Sequence, residues 1–382
     1  MKYNILAIII PVFLAGTTHA AEIYNMDGIK LNLYGKVNAG HIFTKNDVNN
    51  GYYSNAVIGI KGNSKISDHT MGYGNIELET SYNKNINNIG YNNKLIYAGL
   101  KFSDFNSLEY GRNYGILYDI NSWTGVLPIY GSEFSSNNHN YMSSINRNLL
   151  TYRCNNFFGL IDGFNFAIQY QGKHNDINKL VLDGVNDNKL SAVNIDKGYG
   201  VTVNYNIGWG LTLGGGYGTS NLNINNIIEN KNNNLTENKK AESWNAGIKY
   251  DNNNLYLAAI YGENNNMTKY NNGIDENHIA ISKIAHKIEN IELVAQYLFD
   301  GFGLKPSIAY VQSKGKNLSN SKHNNLKENL IKYSSLGAFY YFNKNLTAII
   351  DYKINLISDN QFTKLSNIDR GNVLGLGVIY KF

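Results

Sequence analysis

The chain has 382 residues and lacks most of what a soluble enzyme or a helical membrane protein needs. It has one cysteine, Cys154, which excludes an intramolecular disulfide framework and a cysteine-based zinc site. It has three prolines, and 16% of its residues are charged, against about a quarter in ordinary globular chains. No run of about 20 apolar residues exists, so a helical transporter is excluded. The eight histidines are scattered without metal-motif spacing, and neither a metal nor any other cofactor is expected. The net charge is +5 with no Lys/Arg-rich run, which speaks against nucleic-acid binding.

What is present is aromatic and small. Aromatic residues make up 13% of the chain, 30 of them tyrosine, beside 37 glycines. Intrinsic disorder requires few aromatics, so this chain folds. Its mean hydropathy of −0.35 is nonetheless polar. Apolar residues diluted by regular alternation reconcile the two.

The first segment reads as an address. Lys2 is followed by an apolar stretch over 5–14, interrupted only by Pro11, and then by Thr18-His19-Ala20. Such a stretch is too short to span a membrane and fits a secretory signal. Residues 1–20 are therefore expected to be a signal peptide, cleaved after Ala20, with 21–382 as one domain.

Beyond it, segments with a two-residue apolar period alternate with long asparagine-rich segments. The C-terminus is the clearest strand: Leu374, Leu376, Val378, Tyr380 and Phe382 share one face, and Val373, Gly375, Gly377, Ile379 and Lys381 the other. Leu346, Ala348, Ile350 and Tyr352 likewise oppose Thr347, Ile349, Asp351 and Lys353. Eight long segments are found, near 44–55, 83–93, 118–145, 174–199, 219–242, 263–279, 313–330 and 357–370. Seven strand pairs joined by short turns lie between them, with one strand at each end, making 16 strands. Long loops on one rim and short turns on the other are the asymmetry of an outer-membrane barrel. An even count lets the first and last strands pair and removes the sheet edges. A soluble sandwich would carry polar outer faces, whereas these strands end in Tyr, Phe and Leu, as an aromatic girdle does. The fold class is thus all-β, a 16-stranded antiparallel transmembrane β-barrel with an aqueous interior.

Longer stretches carry a resemblance. AEIYNMDGIKLNLYGK (21–36), LEYGRNYG (108–115), TYRCNNFFGLIDGFNFAIQY (151–170), KYDNNNLYLAAIYGE (249–263), LVAQYLFDGFGLKPSIAY (293–310), YYFNKN (340–345) and GVIYKF (377–382) occur in order. With them the chain resembles the enterobacterial general, non-specific outer-membrane porins over its whole mature length. The resemblance implies a homotrimer of 16-stranded barrels in contact with outer-membrane lipid and lipopolysaccharide. Each pore would pass small hydrophilic solutes and be narrowed by an inward-folded third loop, here about 118–145. In that family, loop acids face a basic cluster on the wall, and the transverse field filters solutes.

The resemblance carries over residue by residue. Lys36 matches the first wall base, and parity sets it with Asn32, Tyr34 and Asn38 on the lumen side. Val57 stands where the family has an arginine. Lys94 takes a wall arginine's place and keeps the charge without the planar fork. The fourth wall base aligns with Ile145, and Arg147, two residues on, shares its strand parity; Arg153 matches a family arginine. In the loop, Gly125 replaces an Asp and Ile129, after Pro128, replaces a Glu. Glu133 keeps the last acid, and Asp119, Tyr114 and Tyr118 match the loop's approach. Arg112 matches the family's trimer-contact arginine, although 81–94 contains no Asp or Glu to reach it. Phe382 matches the terminal aromatic that serves as assembly signal.

Two other functions fit the composition less well. A sugar-specific channel would need a line of aromatics along the lumen. A hydrolase would need a Ser/His/Asp constellation, and the scattered histidines offer none. A passive channel with weak ion selectivity is the expectation.

Overall fold

Alternating side chains leave a strand with two chemically different faces, and a closed sheet is where both find a solvent. The computed structural model describes residues 21–45, 50–83, 86–131, 133–136, 142–181, 190–225, 238–274, 280–318 and 325–382. The expected signal peptide lies outside these. Among the described residues, eighteen strand segments form one sheet. They are β1 (Ala21–Met26), β2 (Ile29–Thr44), β3 (Gly51–Ser67), β4 (Thr70–Asn83), β5 (Ile86–Phe102), β6 (Asn106–Tyr114), β7 (Ile145–Cys154), β8 (Phe164–Gln171) and β9 (His174–Val181). The second half holds β10 (Leu190–Gly208), β11 (Leu211–Asn225), β12 (Asn238–Asn252), β13 (Leu255–Ile274), β14 (Ala280–Tyr297), β15 (Leu304–Leu318), β16 (Leu326–Tyr341), β17 (Leu346–Asn355) and β18 (Val373–Lys381).

Eighteen segments make 16 wall strands because two walls are built in halves. β18 pairs with β2 from Lys36 to Thr44, and β1 pairs with β2 from Ile29 to Leu33, so both lie along one neighbour. β8 and β9 both pair with β10 and are parted only at Gly172-Lys173. The β18–β2 ladder closes the barrel, and every pairing is antiparallel.

The outer face is apolar and open. Ile58, Ile76, Leu100, Tyr110, Ile168 and Val203 are all exposed, while Val57, Asn75, Glu77, Glu109, Gln169 and Thr202 on the other face are buried. Exposed apolar bands of this kind are what lipid covers. The short turns follow from residue type. Asn252 pairs with Leu255, and the two residues between them, Asn253 and Asn254, both take left-handed φ of 52° and 62°. A two-residue hairpin requires that conformation, and asparagine tolerates it.

The strands are longer than the composition suggests. β9–β10 pairs out to Val181 opposite Leu190, and β13–β14 to Ile274 opposite Ala280. Both ladders run through segments read as loops, because asparagine disfavours strands. Each added antiparallel pair, however, satisfies backbone groups that a loop would leave to water. Register shifts such as that between Asn265 and Thr268 absorb the misfit.

On the inner face, the Tyr34 ring lies flat over Gly59, where an added Cβ would sit 2.1 Å from Cζ. The Tyr34 hydroxyl donates to Asn75 Oδ1 at 3.0 Å and Glu77 Oε2 at 2.8 Å. Gly59→Val should displace the ring, break both bonds and cost about 1–3 kcal/mol of overpacking. The temperature at which the folded band is lost on SDS gels should fall; an unchanged temperature would show that the ring moves freely.

Candidate functional site

Between β6 and β7 the chain leaves the sheet for some thirty residues. Its base is pinned by Gly115 N–H donating to Ser144 O at 2.8 Å and Leu117 N–H to Met142 O at 2.9 Å. Two single-turn helices follow, α1 (Tyr118–Asn121) and α2 (Glu133–Ser136). Ile116, Leu117, Ile120, Trp123, Leu127 and Phe134 are buried. Ile120, Trp123 and Leu127 form one cluster with Tyr256, Ala258, Ile260, Val294 and Ala309 of the wall. Those wall residues lie on the face opposite the exposed Leu257, Tyr261, Leu293 and Ile308.

Wall glycines permit this approach. A Cβ on Gly214 would lie 2.5 Å from Ile120 Cδ1, and one on Gly375 would lie 2.4 Å from Ile129 Cδ1. Polar groups then fasten the segment from four strands. Asn245 donates to Leu117 O at 3.0 Å and to Asn121 Oδ1 at 2.7 Å. The Tyr256 hydroxyl donates to Trp123 O at 2.6 Å, and Gln296 donates to Val126 O at 2.8 Å. Glu292 accepts from Phe134 N at 2.7 Å and from the Thr124 hydroxyl. Asp351 accepts from Ile129 N at 3.1 Å, Tyr130 N at 3.2 Å and the Ser335 hydroxyl.

The charged residues pair in a pattern that sequence alone does not show. Asp119 takes a two-pronged contact from Arg153, at 2.6 and 3.1 Å, and a third bond from Thr202 at 3.1 Å. Arg153 Nε also lies 3.7 Å from Glu109. Lys94 sits 3.2 Å from Glu77 and 3.9 Å from Glu79. Lys36 stands opposite Val57 on one side and Lys381 on the other. Glu133 accepts from the Tyr333 hydroxyl at 3.3 Å.

Tyr118 stacks on Tyr114 with centroids 4.2 Å apart. Burial pushes the Tyr118 phenol up, and burial with the Asp351 charge does the same for Tyr130, so both remain neutral. Gly125 closes a turn, its N–H donating to Ser122 O at 3.3 Å. Ile129 turns its side chain onto the Gly375 wall.

Arg147 departs from the parity count. Asn148 has a left-handed φ of 59°, and the β6–β7 register skips between Gly111 and Asn113. A bulge of this kind reverses which face follows. Arg147 is exposed, whereas Arg153 is held between two carboxylates. Arg112 is paired with the outward Ile96 and follows Tyr110 on the exposed face. Phe382 pairs with Gly35 through both backbone bonds, at 2.9 and 3.0 Å.

Sequence reasoning passed over Glu77, Glu79, Glu109, Glu292 and Asp351. The signal was available: Glu77, Glu109, Glu292 and Asp351 are each an acid at inward parity between Ile, Leu or Tyr neighbours, and Glu79 follows Leu78 at the same parity. A carboxylate in that position needs a partner inside the barrel.

Residues 26–382 match the Gram-negative porin family. Outer membrane porin F of Xenorhabdus nematophila is 46% identical, and outer membrane protein F of Serratia marcescens 43%, each over 100% of both chains. The solved structure of Salmonella typhi OmpF in complex with daunomycin superposes with a TM-score of 0.76 at 36% identity, covering 95% of this chain and 100% of that one. The Vibrio cholerae OmpT barrel, at 14% identity and a TM-score of 0.57, shares the fold. The chain therefore belongs to the Gram-negative porin family: it is an outer-membrane general porin, a non-specific channel and not an enzyme.

Proposed function

We propose that the third loop, about 118–145, folds inward and narrows the water-filled lumen, and that the resulting waist is only weakly ion-selective, leaning towards anions. The loop's contacts with the inward faces of β12–β17 support the first part. The second rests on one observation: the loop acid Asp119 is fully engaged by Arg153. Lys36, by contrast, has no carboxylate in ion-pair range among the described residues. Charges that cancel at contact distance contribute little field to a passing ion, and an unmatched one sets which ion accumulates.

Lys36, Lys94, Asp119, Glu133, Ile129, Gly125 and Tyr118 remain the proposed waist residues, with Arg153 and Glu77 added, while Arg147 is left out because the bulge at Asn148 turns it away. Ile129→Glu and Lys36→Ala should each raise the cation-to-anion permeability ratio about twofold, the effect of roughly 0.4 kcal/mol of screened charge. The zero-current potential in a KCl gradient measures this. A strongly cation-selective wild type, or no shift in either variant, would contradict the reading.

The barrel is further proposed to assemble as a homotrimer in lipid and lipopolysaccharide, after signal cleavage following Ala20. Arg112 lies on the outer face beside Tyr110 and Leu108, where a neighbouring barrel would pack. A stable monomer in mild detergent would count against assembly, and a mature chain not beginning at Ala21 would move the cleavage site.

A further inference from the structure

The short-turn end of the barrel carries an inward-facing patch that shares only Lys36 with the waist. Lys381 on β18 and Lys36 on β2 are direct cross-strand partners. Their strand neighbours Tyr380 and Val37 are exposed on the outer face, so both lysines point inward. Like charges directly opposed across a ladder are destabilising. Among the described residues neither lysine has an ion-pair partner. Two strands away, Phe339 and Tyr341 of β16 lie parallel, with centroids 6.1 Å apart and planes within 5°. Lys305 of β15 is the cross-strand partner of Phe339 and holds its ammonium 5.2 Å from that ring. Among charges, Lys305 interacts most with the exposed Asp251 and next with Lys381.

Tyr341 pairs with Thr347 and Thr347 with Ile379, so rings and lysines belong to one continuous inner surface. Two strand spacings of about 4.8 Å and a two-residue offset between Ile379 and Lys381 separate Tyr341 from the lysine pair by roughly 12 Å at the backbone, a gap that lysine side chains span. All five side chains are partly open.

A planar π-surface beside three ammonium groups that make no ion-pair contact among the described residues has one chemical complement. We propose that this patch is a binding ledge for planar aromatic anions, with the ring on Phe339 and Tyr341 and a phosphate or carboxylate between Lys305 and the Lys381–Lys36 pair. A mononucleotide has both parts at this spacing. The ring supplies stacking and the ammoniums supply charge-assisted hydrogen bonds. The inference rests on the reading that the lumen is open to water. It adds a station at the short-turn mouth, where an anion dwells before or after crossing the waist.

The test is current block in a planar bilayer at low salt, with protein added from one chamber. The bulky polar loops stay in that chamber, so the short-turn mouth faces the other. Adenosine monophosphate, adenosine and inorganic phosphate are then added to each side in turn. Adenosine monophosphate should block from the short-turn side at concentrations about fivefold below those of inorganic phosphate or adenosine. Phe339→Leu should erase its advantage over phosphate while phosphate block persists. Lys381→Gln should weaken block by both anions about fivefold. Equal block by nucleotide and phosphate, equal block from both sides, or unchanged block in both variants would overturn the ledge. An open channel without sided block defeats this inference alone, and absence of any conductance defeats it together with the open-lumen reading.

Discussion

Replacing Asp351 with alanine should widen the channel. The carboxylate is fully buried on the inner face of β17 and accepts from two consecutive backbone N–H groups, those of Ile129 and Tyr130, and from Ser335. Alanine leaves all three donors without an acceptor, at about 1–3 kcal/mol for each one that stays buried. The segment escapes that cost by letting its tip move into water. The staples at Asn245, Tyr256, Gln296 and Glu292 are untouched. Only the stretch around Pro128 should therefore detach, while the rest of the segment stays on the wall. Liposome swelling with sugars of increasing size should show a raised exclusion limit, and single channels should show added current noise. Asp351→Asn keeps one acceptor oxygen and should fall between the two. Unchanged swelling rates in Asp351→Ala would mean that the tip does not limit the passage.

Deleting Phe382 should lower the yield of folded barrel by about tenfold or more. The residue makes both backbone bonds to Gly35 at the seam where β18 meets β2. Its ring covers Gly35, where an added Cβ would lie 2.5 Å from Cζ, and it follows Tyr380 on the outer face. A barrel has no stable state with an open edge in lipid, so the last pairing of the seam matters out of proportion to its size. Phe382→Ala separates two roles. It keeps the backbone bonds and removes the ring, so a seam role predicts a mild defect. An assembly signal read from the aromatic predicts a loss as severe as the deletion, visible as unfolded precursor. Normal yield of the deletion at low expression would refute both roles.

What the sequence determined by itself is the wall. The two-residue period of segments such as 373–381 is a local property, and it assigned faces, count and closure without any tertiary information. Strand ends were harder to place, because asparagine reads as loop even where a growing hairpin ladder holds it. Arg147 shows how one residue can defeat the count: left-handed Asn148 changes the face of everything on its far side.

Only the tertiary structure decided which charges meet. Asp119 reaches Arg153 on the wall strand that follows the loop, and Asp351 captures Ile129 from 222 residues away. No periodicity encodes such pairs, since closing the barrel is what brings those segments together. A carboxylate buried inside it must then find whichever donors the closed geometry supplies, because leaving it unpaired there is the costlier alternative.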